Sequence, residues 1–281
     1  MRCRCLALLF ALSASGCGGA AKYASGLVQE GNRASGICYY VGGAGQLGNV
    51  GFLSVPRGMQ EAGFTGYVEL VPWQTLTAAV DQVNLSRNRG KGVELAERIA
   101  AYTRTYPGMP VMIIALSAGT GIATFALESL PENVRVQNVA FLGCSLSSRY
   151  DLTRALKRVD GHLYTFYSPT DTVLARIVPY TGTIDRDDAA AGVAGLEGFR
   201  LPPNPRRDTF RQYQKVLNIP YQSRFAAADY RGEHMDAVER AFIARYVAPL
   251  LLDSESDLID VAESPLGRDM TRGRPRLRPT E

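Results

Sequence analysis

Pro110–Phe125, PVMIIALSAGTGIATF, constrains the fold of this chain more than any other stretch. Val111, Met112, Ile113 and Ile114 make a short, wholly apolar run after Pro110, the pattern of a parallel strand covered on both faces. The run ends in Ala115-Leu116-Ser117-Ala118-Gly119, where a serine has a very small residue two positions to either side. A sharp strand-to-helix turn presses those two positions against their neighbours and excludes side chains larger than methyl. Gly121, Ala123 and Ala126 then let the next helix lie close to the sheet, with its free N–H groups and positive dipole end aimed at Ser117. Two readings follow. Ser117 is an N-cap of an ordinary parallel-sheet helix, or it is a nucleophile held at the apex of the turn, where the helix end stabilises an oxyanion.

Composition narrows the setting. Met1–Cys17 carries Arg2 and Arg4 ahead of an apolar stretch, Cys5 to Leu12, that is too short to span a bilayer, which is the form of a secretory signal. Its end, Ala14-Ser15-Gly16-Cys17, resembles a bacterial lipobox with Ala14 in place of the usual leucine. That resemblance makes Cys17 the candidate lipid attachment site, with ordinary cleavage as the alternative. Residues 18–36, rich in Gly, Ala and Ser, are expected to be a flexible tether. Residues 37–252 are then one α/β domain of about the size that buries a full core, and 253–281 a disordered tail. The formal charge is +4 and the basic residues are scattered, which speaks against nucleic acid as a partner. Of five cysteines, only Cys38 and Cys144 remain in the domain, and as both lie on or near strands at different ends of the sheet, both are expected to be free thiols.

In chain order, Ile37–Val41 reads as the first strand, followed by Gly42-Gly43-Ala44-Gly45-Gln46-Leu47-Gly48. Gly43, Gly45 and Gly48 satisfy G-x-G-x-x-G, a dinucleotide cradle. The supporting acidic residue at the end of the next strand is missing, since that strand, Tyr67–Val71, runs into Pro72-Trp73. The competing reading is an oxyanion loop, in which glycines let backbone N–H groups turn toward a carbonyl, and it is the one we favour. Val50–Gly63 is expected to be a helix broken at Pro56. Trp73 is either a cleft-lining residue or half-buried core. Gln74–Val83 and Gly92–Tyr106 read as helices, Val136–Gly143 as a strand and Asp151–Val159 as an amphipathic helix. A strand over His162–Tyr167 ends in Ser168-Pro169-Thr170-Asp171. Ala175–Lys215 is irregular and reads as an excursion over the sheet edge. Val216–Tyr221 or Gln222–Ala226 supplies the last strand, and Gly232-Glu233-His234-Met235 leads into a final helix, Asp236–Leu252.

Ser117, Asp171 and His234 therefore occur in the order nucleophile, acid, histidine, each where a strand or loop meets one sheet edge. The arrangement resembles the α/β-hydrolase superfamily through ALSAG, SPTDTVL and GEHM, over most of the chain from Ile37 to Leu252. It departs in Ala115 for glycine, in a glycine loop without histidine, and in Glu233 between Gly232 and His234. The resemblance implies an α/β-hydrolase fold, mostly parallel, with helices on both faces and no large cap domain. It also implies acyl ester hydrolysis by Ser117, His234 and Asp171, with Ala118 and Gly43 or Ala44 as oxyanion donors, and it implies no metal and no cofactor. The substrate expected is a small-molecule or polymeric ester, with the membrane as partner only through lipid on Cys17, and the protein exported to the cell envelope. The readings from other classes are a catalytically idle hydrolase fold serving as an anchored binding module, and a dinucleotide-binding protein. His162 begins its strand and reads as structural; Asp185, Asp187 and Asp188 are rival acids in solvated turns. With little chain between Gly143 and Asp151, the cleft is expected to be open unless Phe199, Leu201 and Phe210 fold over it.

Overall fold

In a computed structural model of the protein, residues 16–45, 49–186, 192–253 and 256–267 are described. The elements are α1 (Gly16–Leu27), β1 (Ile37–Val41), α2 (Ser54–Glu61), β2 (Tyr67–Leu70), α3 (Ala78–Val83), α4 (Leu85–Thr105), β3 (Val111–Leu116), α5 (Gly119–Ser129), β4 (Val139–Leu142), α6 (Thr153–Leu156), β5 (Leu163–Tyr167), α7 (Thr172–Thr181), α8 (Ala194–Glu197), α9 (Arg207–Tyr213) and β6 (Val216–Pro220). A segmented helical run from Asp236 to Leu251 completes the last layer.

The six strands are all parallel, in the order β2-β1-β3-β4-β5-β6. Every residue of the four inner strands, β1, β3, β4 and β5, is buried, as the unbroken apolar runs of β1 and β3 require. Alternation sorts them into two cores. Ile37, Tyr39, Val41, Val111, Ile113 and Ala115 face α4 and α5, whereas Cys38, Tyr40, Met112, Ile114 and Leu116 face α2 and the C-terminal helical run. The chain winds outward from β1 to β2, then crosses back over β1 to β3 and continues in the other direction. That reversal opens a crevice at the carboxyl ends of β1 and β3, the place where open α/β sheets bind ligands. The Gly42–Gly45 loop and Ser117 both emerge there. The order is not the 3-2-1-4-5-6 of a dinucleotide-binding sheet, and Gly48 of the G-x-G-x-x-G match lies outside the described residues.

Several expectations are corrected. Residues expected to be a tether are folded against the sheet edge: α1 packs on β2, Lys22 pairs with Glu69, and the Gln29 amide bonds both N–H and C=O of Val68. Glu69 also pairs with Arg33 and Arg98. The edge of β2 carries unpaired backbone groups and a buried carboxylate, and this segment supplies partners for both. Residues 256–267 of the expected tail are likewise placed against the domain: Leu258 is fully buried and Glu263 pairs with Asn218, covering the β6 edge. Pro56 does not break its helix, because it sits in the first turn of α2, where no N–H partner is lost. The last strand is Val216–Pro220, and Ser223–Ala228 is a 3-10 helix. The final helix is divided into Asp236–Val238 (3-10), Arg240–Phe242 (α), Ile243–Val247 (π) and Ala248–Leu251 (α). Cys38 and Cys144 are free and buried.

The stretch expected as a single excursion is three different things. Its first part is α7, which stands beside the crevice. Phe199 and Leu201 belong to the core under α4 and α5, so they do not roof the cleft. Phe210 lies half-exposed on α9, near Leu266.

Candidate active site

Ser117 has a φ of +55°, the left-handed region that a serine adopts only when its surroundings hold it there. Three bonds fix it. Its N–H donates to Leu142 C=O on β4, and its C=O accepts from Thr120 N–H (3.0 Å) and Thr120 Oγ1 (2.6 Å). Gly119, the small residue demanded two positions after the serine, lies against the end of β1. A Cβ there would be 2.3 Å from Val41 O and 2.4 Å from Gly42 O, both backbone atoms that cannot yield. The elbow is thus wedged between β1 and β4, and its helix α5 begins at Gly119 with Ala118 as N-cap.

Asp171 is the N-cap of α7, and each of its carboxylate oxygens has a separate task. Oδ1 accepts from Leu174 N–H at 2.9 Å, and Oδ2 bonds His234 Nδ1 at 2.6 Å. The cap fixes the carboxylate, and the carboxylate fixes the imidazole. The pair is almost fully buried, with side-chain exposures of 3% for Asp171 and 2% for His234. Glu233, which separates His234 from Gly232, ties the two loops together through Thr172 Oγ1 at 2.6 Å. Gly143, at the end of β4, closes over the pair. Its φ is +50°, and a Cβ would come within 2.8 Å of His234 Nδ1 and 3.3 Å of Asp171 Oδ2. In the sequence Gly143 marks only the end of a strand and Glu233 only a departure from the family's pattern; the contacts that each makes at the site appear only in the fold.

Ser117 and His234 line one cavity of about 380 Å³ together with Gly43 and Ala44. Its apolar walls are Ala78 and Ala79 of α3 on one side and Val173, Leu174, Ile177 and Val178 of α7 on the other. The backbone N–H groups of Gly43, Ala44 and Ala118 donate to no other described residue. Gly43 and Ala44 line the cavity with Ser117, and Ala118 caps the helix that follows it, so their N–H groups are candidate donors to a developing oxyanion. Trp73 is buried core and donates from Nε1 to Gly42 C=O at 2.8 Å, so it supports the loop from beneath instead of lining the cleft. Asp185 accepts from Ser147 N–H at 3.0 Å and makes no bond to His234, and Asp187 and Asp188 lie outside the described residues. His162 sits at the amino end of β5, its ring beside Tyr164. The segment preceding Gly16 is also outside the described residues, and among those described no helix is long and apolar enough to cross a membrane.

A six-stranded parallel sheet wound outward from β1, with a serine in a left-handed turn after β3 and a histidine loop before the last helical layer, is an α/β-hydrolase fold. Among solved structures, the chain is similar to a Trichoderma reesei cutinase in complex with a C11Y4 phosphonate inhibitor, at 14% identity and a TM-score of 0.38, over 85% of this chain and 94% of that one. No family model and no curated protein matches the chain.

Proposed function

We propose that the protein is a serine hydrolase that cleaves carboxylic esters through an acyl-enzyme. The observation that carries the reading is the buried Asp171–His234 bond of 2.6 Å beside a serine held at φ +55° on the same cavity. A serine hydroxyl is a poor nucleophile near neutral pH, and it needs a base within reach. His234 takes the Ser117 proton as Oγ attacks the acyl carbonyl. Asp171 holds the tautomer in which the other ring nitrogen is free to accept, and it stabilises the imidazolium that results. Negative charge moves to the carbonyl oxygen, where Ala118 N–H and Gly43 or Ala44 N–H receive it. His234 returns the proton to the departing alcohol, and water repeats the sequence to release the acid.

The cavity walls suit an acyl chain, since the side chains that line it from α3 and α7 are apolar except for Gln82 and Thr181. Each buried methylene contributes about 0.8 kcal/mol, roughly fourfold in specificity, until the walled space is filled. Short to medium acyl esters, or ester bonds on bulky or polymeric substrates, are therefore the preferred class, without interfacial activation. Turnover of p-nitrophenyl esters from acetyl to palmitoyl tests it. Specificity should level off by octanoyl; a steady climb beyond octanoyl contradicts the reading of the cleft, and no turnover at any length contradicts the hydrolase. Export, and attachment to the cell envelope through lipid on Cys17, complete the proposal. Metabolic palmitate labelling that is unchanged in Cys17→Ala would dispose of the anchor.

A further inference from the structure

The oxyanion donors of the Gly42–Gly45 loop do not hold themselves in place. Gly42 C=O accepts from Trp73 Nε1 at 2.8 Å and Gly43 C=O accepts from Gln74 Nε2 at 3.0 Å. In a trans peptide the C=O and the N–H that follows it point in opposite directions, so these two bonds turn the Gly43 and Ala44 N–H groups away from the 73–74 segment. The third hold is on Gly45, whose N–H donates to Asp81 Oδ2 at 2.8 Å. Gly45 has a φ of +69° and lies against the start of α3, so this bond helps hold it in a left-handed conformation that a glycine adopts readily.

Asp81 is completely buried. Its carboxylate also accepts from Thr75 N–H, with both oxygens at 2.9 Å, and from Arg87 Nη1 at 3.1 Å. Arg87 in turn donates to Trp73 C=O. One carboxylate thus joins the loop to the segment that carries both of the other clamps. A buried, ion-paired carboxylate is a costly way to fill space, since an apolar side chain of the same volume is often at least as stable. Here one of its bonds goes to Gly45 of the loop and the others go to Thr75 and Arg87, so it ties the loop to the segment that carries Trp73 and Gln74.

We propose that Asp81 is a positioning residue for the reaction, holding Gly45 so that the Gly43 and Ala44 N–H groups face the oxyanion formed on attack by Ser117. The inference rests on the serine hydrolase reading. Asp81 touches neither substrate nor the reacting atoms, and its effect belongs to the transition state, where charge on the carbonyl oxygen first appears.

The test compares full-length wild type, Asp81→Ala, Asp81→Asn and Gln74→Ala, using a p-nitrophenyl ester as substrate and an alkyl trifluoromethyl ketone as a tetrahedral analogue. In Asp81→Ala, kcat should fall about 10²-fold, the order that loss of an oxyanion donor costs, with KM within about threefold. Affinity for the ketone should fall in step with kcat/KM. Asp81→Asn keeps one oxygen for Gly45 and should recover part of the loss. Gln74→Ala, at a half-buried position outside the ion pair, should give a smaller loss with the same split, and it decides the matter if Asp81→Ala does not fold. Activity and ketone affinity within threefold of wild type in the folded variants would overturn the positioning role. So would a loss carried by KM with ketone affinity unchanged. If wild-type protein itself fails to turn over esters and fails to bind the ketone, the hydrolase reading is lost and the role of Asp81 with it.

Discussion

The two turns that meet at the β1/β3 crevice are built in opposite ways. The elbow after β3 is set by steric contact: the strand before it, the left-handed Ser117 and the helix after it are consecutive in sequence, and Gly119 wedges the turn against the backbone at the end of β1. The loop after β1 is supported from elsewhere. Three of its residues, Gly42, Gly43 and Gly45, are each held by a side chain from residues 73 to 81. A feature set by steric contact with packed backbone fails all at once when its small residues grow. A feature set by distant hydrogen bonds loosens by degrees, because each bond contributes only about 1 kcal/mol net.

The largest effects should therefore come from the proposed nucleophile, its partners and its turn. Ser117→Ala is expected to abolish ester turnover with the fold intact, and Asp171→Asn to cost about 10⁴-fold through the wrong imidazole tautomer. Steady-state kinetics on the two variants checks both, and a loss below tenfold for Asp171→Asn would assign the acid elsewhere. Gly119→Ala places a methyl inside van der Waals contact of Val41 O and Gly42 O. The elbow and β1 must then separate, with a fall in kcat of at least about 10²-fold, since the nucleophile and the oxyanion donors part together. An active Gly119→Ala would show that the elbow tolerates slack and would erase the contrast between the two turns. Trp73→Phe keeps the ring in the core and removes only the bond to Gly42 C=O. A graded loss, about tenfold in kcat with KM held, is expected from the loop; a collapse comparable to Gly119→Ala would mean that the loop is as brittle as the elbow.

The smallest effect concerns stability. Burial pushes the Asp185 carboxyl above the usual carboxylate range. The folded chain then binds that proton more tightly than the unfolded chain, so stability is full below the ordinary carboxyl pKa, about 3.9, and declines as pH rises through the higher folded value. Asp185→Asn keeps an oxygen for Ser147 N–H and removes the titration. Its Tm should match wild type at low pH and exceed it modestly at neutral pH. A variant less stable than wild type at neutral pH would show that the charged form is the one the fold needs.

The same difference in construction explains what could be read from the sequence. The elbow was legible because its determinants are adjacent: an apolar run, a serine, and small residues at fixed offsets. Asp171 and His234 were legible by their places at loop entries and by chain order. The holders of the glycine loop were not, because nothing in Asp81 or Gln74 announces a bond across a sheet, and Trp73 carries the same signal whether it lines a cleft or supports a backbone from below. The edges failed for a related reason. Gly, Ala and Ser in residues 18–36 look unstructured by composition, yet Gln29 and the ion pairs of Glu69 give that stretch a reason to fold that only the neighbouring strand reveals.

The central claim is that Ser117 is a nucleophile activated by His234. Incubation of the full-length protein with a fluorophosphonate, followed by peptide mapping of the adduct, tests it directly. The account predicts a single stoichiometric adduct on Ser117, absent in Ser117→Ala and formed at least about 10³-fold more slowly in His234→Ala. An adduct on another residue, or labelling of Ser117 at an undiminished rate without His234, would contradict it.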